Sequence, residues 1–261
     1  MTRKKFIAGN WKMNQTLANA KLLASALKKF EINSHLVDVA VCPPFTALWH
    51  VASELRGSKL AWGAQDVSAT APGAFTGDIA AEFLKDIDCQ YCIVGHSERR
   101  QLHAENDFLI NRKTHRLLEL GIKPILCVGE TLEQRELEIT FDVVHTQLRA
   151  GFIKITPEQA LQITIAYEPV WAIGTGKVAT AEQAEAVHAF IRETLSKRFG
   201  SDIAQGMRIL YGGSVKASNA KELLSQPNID GALVGGASLV AEDFIGIIAG
   251  AQAVSQPQAV S

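Results

Sequence analysis

The stretch Ile163-Thr164-Ile165-Ala166-Tyr167-Glu168-Pro169-Val170-Trp171-Ala172-Ile173-Gly174-Thr175-Gly176-Lys177, with the helical pattern that follows from Thr180, holds one complete unit of the fold. An apolar run of strand length, Ile163 to Tyr167, stops at a carboxylate, Glu168. Pro169 then opens a loop that is apolar at Val170, Trp171 and Ile173 and Gly-rich at Gly174 and Gly176. Loops run over the surface and are normally polar, so an apolar loop needs something to close over. Beyond it, Thr180 is placed to cap a helix and Gln183 completes a capping box. Val187, Ile191 and Leu195 space the buried face of that helix. Strand, cover and helix form a βα unit with an acid at the strand end.

Working outward, the unit recurs. Apolar runs stand at Phe6-Ile7-Ala8-Gly9, Val37 to Cys42, Leu60-Ala61-Trp62, Tyr91 to Val94, Pro124 to Val128, Ile163 to Tyr167, Arg208 to Tyr211 and Gly231 to Val234, eight in all. Continuous rather than alternating apolar character marks strands buried on both faces, as in parallel sheets. Helical spacing separates them, for example over Ala18 to Phe30 and over Asp107 to Leu120, which Gly121 stops. Two architectures fit: a closed (β/α)8 barrel and an open doubly wound sheet. Asn10-Trp11-Lys12, Gly95-His96-Ser97-Glu98, Gly129-Glu130, Glu168, Gly212-Gly213-Ser214 and Gly235-Gly236 each come directly after a strand. An open sheet would spread these ends along an edge, whereas a barrel gathers them on one rim. The reading is an α/β chain forming a single (β/α)8 barrel over residues 1–261, frayed from about Gln252 to Ser261.

Composition supports one globular domain. Of 261 residues, 47% are hydrophobic and 20% charged, with no Pro/Gly/Ser linker before the tail. A net charge of -1 and the lack of a basic stripe argue against a nucleic-acid surface. Lys4-Lys5 and Arg99-Arg100 read as solvated faces or local ion pairs. No apolar stretch approaches the roughly 20 residues that span a bilayer. Met1 to Lys5 runs straight into Phe6-Ile7-Ala8, too short for a signal-peptide core, so a cytoplasmic location is expected. Cys89 and Cys92 form a single CxxC, and Cys92 lies in an apolar run, where residues three apart on a strand face opposite ways. A buried thiol pair is expected, with no metal and no cofactor, since no His/Asp cluster has ligand spacing.

The strand-end residues carry chemistry. Glu168 is the candidate base: removing a proton from carbon beside a carbonyl needs a carboxylate held in a site emptied of water. His96 precedes what looks like a helix start, where partial positive charge disfavours imidazolium, so a neutral ring is available to polarise a carbonyl. Lys12, with Asn10 beside it, is placed to hold an anion or a developing oxyanion, and Glu98 to pair with Lys12. Gly174-Thr175-Gly176, Gly212-Gly213-Ser214 and Gly235-Gly236 leave backbone N–H groups open to phosphate. The superficial dinucleotide fingerprint Gly174-x-Gly176-x-x-Ala179 fails because it follows a lid rather than a strand. A Walker A reading fails because Val178 stands where Ser or Thr is required.

Ala8 to Asn14, Gly95 to Arg100, Cys127 to Glu130, Tyr167 to Lys177, Tyr211 to Val215 and Gly235 to Leu239 resemble the triosephosphate isomerase family, in order, at six strand ends. The resemblance runs from about Phe6 to Ala249. It implies a glycolytic and gluconeogenic enzyme that interconverts dihydroxyacetone phosphate and D-glyceraldehyde 3-phosphate through an enediolate. Glu168 is then the base and His96 the neutral electrophile, while Asn10 and Lys12 hold the substrate. Gly174, Ser214, Gly235 and Gly236 meet phosphate. Pro169, Val170, Trp171, Ala172, Ile173, Gly174, Thr175, Gly176 and Lys177 form a closing lid. The long loop Gln65 to Asp78, with apolar Phe75, suggests a homodimer, and the resemblance places Thr76 against a partner's site. Asp78 and Phe75 depart from the residues frequent in the family and touch only that interface. Two alternatives stand beside this reading: another phosphosugar barrel isomerase or epimerase, many of which use a metal, and a non-enzymatic phosphate-binding module.

Overall fold

The computed structural model describes residues 3–173 and 179–256. The chain runs β1 (Lys5–Asn10), α1 (Leu17–Lys28), β2 (Val37–Cys42), α2 (Phe45–Leu55), β3 (Leu60–Ala64), α3 (Ala81–Asp86), β4 (Tyr91–Val94), α4 (Ser97–Leu102), α5 (Asp107–Glu119) and β5 (Lys123–Val128). It continues with α6 (Leu132–Glu136), α7 (Thr140–Gly151), α8 (Pro157–Ala160), β6 (Thr164–Tyr167), α9 (Ala181–Phe199), α10 (Ser201–Gly206), β7 (Ile209–Tyr211), α11 (Ala217–Leu224), β8 (Gly231–Val234) and α12 (Ala241–Ser255). Short 3-10 turns cover Val170–Ala172 and Gly236–Leu239. The strands close in sequence order, each parallel to its neighbours, and β8 returns to β1 with Phe6 beside Gly231 and Gly9 beside Val234. The barrel is closed, and the doubly wound alternative falls away.

Period two along each strand makes two cores. Phe6, Ala8, Ala40, Cys42, Tyr91, Ile93, Ile125, Cys127, Ala166, Leu210 and Leu233 fill the barrel. The residues between them, such as Ile7, Val39, Leu126 and Ile165, pack outward under the helices. Both faces are therefore dry, which is why the strands read as unbroken apolar runs. At the N-terminal end of the barrel, Phe6 and Tyr91 meet with ring centroids 4.7 Å apart, and the Arg208 guanidinium lies 4.6 Å over the Phe6 ring. Asp38 receives Arg208 at 2.7 Å and also Lys4, so these charges are local pairs.

The inward row continues past the strand ends, and this places the site. Asn10 stands two residues beyond Ala8, Gly95 beyond Ile93, Gly129 beyond Cys127, Glu168 beyond Ala166, Gly212 beyond Leu210 and Gly235 beyond Leu233. The same parity that fills the core aims these residues over its upper layer.

Helix α9 starts as read: Thr180 Oγ1 accepts from Gln183 N–H at 3.2 Å, and Gln183 Oε1 accepts from Thr180 N–H at 3.0 Å. Val187, Ile191 and Leu195 are buried, and so are His188 and Arg192 on the same helix. The reading of the tail is corrected at its start. Residues 252–255 belong to α12, whose buried face ends at Ala251, and Gln252 Oε1 accepts from Asn33 N–H at 2.6 Å. Anchoring to the α1–β2 connection, invisible in an Ala/Gln/Ser-rich segment, carries the helix on. Residues 257–261 lie outside the described residues.

All four cysteines are buried free thiols. Burial pushes the Cys89 thiol up to about 12 and raises Cys42, Cys92 and Cys127 as well, so none is poised as a thiolate. Cys89 precedes β4 rather than lying on it, so opposite strand faces do not explain the pair; both thiols sit in the outer core. Among the described residues, no helix is long and apolar enough to cross a membrane.

Candidate active site

The first strand end delivers Asn10 and Lys12. Asn10 is buried, and its Oδ1 accepts the Lys12 N–H at 3.0 Å. Lys12 has φ 52°, a left-handed backbone that is costly for a residue with a side chain. Gln65 compensates from β3's end: its Nε2 donates to Lys12 O at 2.8 Å and to Cys42 O at 2.9 Å. The strained turn is thus gripped on both sides, and it lifts the Lys12 side chain into the mouth. There Nζ meets Glu98 Oε1 at 2.5 Å.

The fourth strand end delivers His96, the N-cap of α4. Its Nδ1 accepts the Glu98 N–H at 3.2 Å. That nitrogen carries no proton, so the neutral ring holds its proton on Nε2. Nε2 lies 2.9 Å from Glu168 Oε1. The other carboxylate oxygen, Oε2, accepts the Ser97 N–H at 2.9 Å. Glu168 is only 2% exposed and His96 5%.

Electrostatics follow from this pairing. Burial works against a charged His96, but the Glu168 carboxylate beside it outweighs burial and raises the ring's pKa. Burial likewise works against a charged Glu168, yet His96 and the Ser97 N–H hold the carboxyl below its usual range. Each shift depends on the other partner. When the carboxylate leaves the ring, the charge that favours imidazolium leaves with it. What remains on the neutral side is burial, the Lys12 ammonium and the Glu98 N–H, against the Glu98 carboxylate alone, which favours imidazolium.

Room for Glu168 is made by glycines. A Cβ on Gly129 would stand 1.8 Å from Glu168 O, and one on Gly212 2.8 Å from Glu168 Cγ. Neither position admits a side chain while β6 ends where it does. Above them opens a cavity of about 430 Å3 lined by Asn10, Lys12, His96, Glu168, Ser214, Gly235 and Gly236 among others. The expected substrate and phosphate residues on the described chain therefore share one chamber, with Glu98 joined to it through Lys12. Gly174, with Thr175, Gly176 and Lys177 of the lid, lies outside the described residues. Of the lid's near half, Val170–Ala172 forms a 3-10 turn and Ile173 lines the cavity.

A profile of the triosephosphate isomerase family matches residues 5–251. The triosephosphate isomerase of Rhodopirellula baltica is 52% identical over 248 residues, 95% of this chain and 98% of that one. That of Carboxydothermus hydrogenoformans is 54% identical over 248 residues, 95% and 99% respectively. The chain belongs to the triosephosphate isomerase family.

Two supports of the site carry no mark of that role in the sequence. Ser97 acts through its backbone, which no side-chain motif records. Glu130 stood in view at a strand end with no role attached. It is fully buried, and its Oε1 accepts from Tyr167 OH at 3.1 Å, from Trp171 Nε1 at 2.8 Å and from Arg135 Nη1 at 3.2 Å. It thereby ties the near end of the lid to β5 and β6. The sequence reading sets Gln65 at a subunit interface; within the chain it braces Lys12. Phe75 is 49% exposed.

Proposed function

We propose that the barrel mouth interconverts dihydroxyacetone phosphate and D-glyceraldehyde 3-phosphate, the reaction expected of a triosephosphate isomerase, with Glu168, His96 and Lys12 as its catalytic groups. The observation that carries this assignment is the 2.9 Å approach of His96 Nε2 to an oxygen of a carboxylate that is almost wholly excluded from water.

Substrate phosphate sits against the backbone of Gly213-Ser214 and Gly235-Gly236, where Gly235 lies beside the Lys12 side chain. Its carbonyl oxygen takes the hydrogen bond that His96 now gives Glu168. The carboxylate, released from that partner, turns to the carbon beside the carbonyl and removes a proton. Burial, which raises its pKa, is then opposed by fewer donors, so the base strengthens as it is used. Electrons of the broken C–H bond form the enediolate. His96 and the Lys12 ammonium stabilise its oxygens, the ring moving a proton between them. Glu168 returns its proton to the neighbouring carbon, completing the isomerisation. The lid from Pro169 to Lys177 covers the phosphate, excludes water and keeps the intermediate from expelling phosphate.

The loop from Gln65 to Asp78 supplies the contact of a homodimer, with Thr76 reaching a partner's site. Supporting this is Phe75, a large apolar side chain left half in water on an isolated chain. The enzymatic reading is tested by a coupled assay with glyceraldehyde 3-phosphate, with and without a phosphoglycolate-type inhibitor. Turnover that survives a strong chelator and is blocked competitively supports it; absence of turnover, or its loss to the chelator, defeats it.

A further inference from the structure

We propose that Gln147, on α7 outside the cavity, is a positioning residue for the base and the lid, an inference that rests on the isomerase reading. The side-chain amide of Gln147 brackets one residue of β5's end: Nε2 donates to Gly129 O at 3.1 Å, and Oε1 accepts from Gly129 N–H at 2.7 Å. This is a two-point clamp on a glycine whose own geometry leaves the backbone loose. On the other side of the same segment stands the base. Glu168 N–H donates to Val128 O at 2.7 Å, and Val170 N–H donates to Glu130 O at 3.1 Å. The Glu130 side chain adds Trp171 Nε1 at 2.8 Å. Residues Val128 to Glu130 thus hold the base and the start of the lid from below. Their middle peptide is fixed by a side chain that lies outside the substrate chamber.

Gly129 lies so close to β6 that an added Cβ would stand 1.8 Å from Glu168 O. Its peptide also borders a cavity of about 240 Å3 that Gln147 helps to line, and the two Gln147 hydrogen bonds hold it against shifting into that space. Without the clamp, the Gly129 peptide relaxes outward and the Glu168 backbone loses its backstop. Misplacement of a catalytic group by about 1 Å costs on the order of a hundredfold in rate. A partial release of this kind is expected to cost about tenfold, and to fall on the proton-transfer step rather than on phosphate binding.

The experiment compares wild type, Gln147→Met and Gln147→Glu. Methionine keeps the length and loses both hydrogen bonds. Glutamate keeps the acceptor toward Gly129 N–H and, when ionised, loses the donor toward Gly129 O. Expected for Gln147→Met is a kcat about tenfold lower, with KM and the affinity for a phosphoglycolate-type inhibitor within about twofold of wild type. The Gly129 amide and Trp171 indole NMR signals should shift, while the Trp49 indole stays. Gln147→Glu should fall between the two and recover toward wild type as acid restores its donor; it also serves if the methionine variant does not fold. A Gln147→Met enzyme with wild-type kcat, or one whose inhibitor affinity falls as far as its kcat, overturns the inference. Unmoved Gly129 and Trp171 signals overturn it without reference to activity, so an inactive wild type would count against the isomerase reading alone.

Discussion

Glu168 rests on two donors that, as the proposed base, it must leave in order to work. His96 Nε2 and Ser97 N–H satisfy its oxygens, and burial at 2% exposure makes any other resting place expensive. In the proposed mechanism, geometry at this single residue controls rate. Glu168→Asp withdraws the carboxylate by one methylene and should lower kcat roughly a hundredfold, while a phosphoglycolate-type inhibitor still binds. Steady-state kinetics with a binding isotherm would show it, and a near-normal rate would remove Glu168 as the base. Lys12 carries a second prediction. Its ammonium faces Glu98 across the mouth, and its backbone is held at φ 52° by Asn10 and Gln65. Lys12→Ala should raise KM and cut kcat together, because binding and oxyanion stabilisation use the same charge. Unchanged kinetics would clear Lys12 of both roles.

At the scale of elements, the site depends on how closely β5 and β6 approach. Gly129→Ala would thrust a methyl group into Glu168 O, so the strand ends must separate. A lower melting temperature and a loss of turnover are expected together; an active, fully stable variant would show that this approach does not matter. Helix α9 makes a different kind of prediction. His188 is buried beneath Tyr167 and Tyr211, its Nδ1 is 3.3 Å from Asn228 O, and burial pushes its pKa down to about 3. Unfolded, the ring takes a proton near its ordinary 6.5. Between those values the unfolded chain binds a proton that the folded chain refuses, so stability falls as pH drops from 6.5 toward 3. The slope from one such group reaches at most about 1.4 kcal/mol per pH unit. Urea titrations at several pH values should show a shallower slope for His188→Gln than for wild type, and identical slopes would reject the assignment.

At the scale of the whole molecule, the barrel closes within one chain, and among the described residues that same chain lines the chamber with Asn10, Lys12, His96, Glu168, Ser214 and Gly235. The proposed homodimer acts on a different term. A partner's Thr76 loop would cover the exposed side of the Lys12 turn and help to hold its strained backbone. Sedimentation should report a species of twice the chain mass, and Phe75→Glu should yield a monomer of much reduced activity. A monomer with full activity would end the dimer proposal.

Local physics was enough for the outline. Eight double-sided apolar runs can be satisfied only by a sheet dry on both faces, and Thr180 with Gln183 writes the start of α9 in the order of the letters. The strand-end motifs likewise single out Glu168, His96 and Lys12 as candidates, because chemistry of this kind needs particular side-chain types. Proximity was beyond the letters. That Glu168 lies against His96, that Gln65 braces Lys12 and that Gln147 grips Gly129 each joins residues far apart in sequence, and only barrel closure brings them together. Burial was equally out of reach: His188 and Arg192 look like solvent residues of a helix until α9 is laid on β6 and β7. Charge state and pKa follow from burial and partners, so they too belong to the folded chain rather than to its sequence.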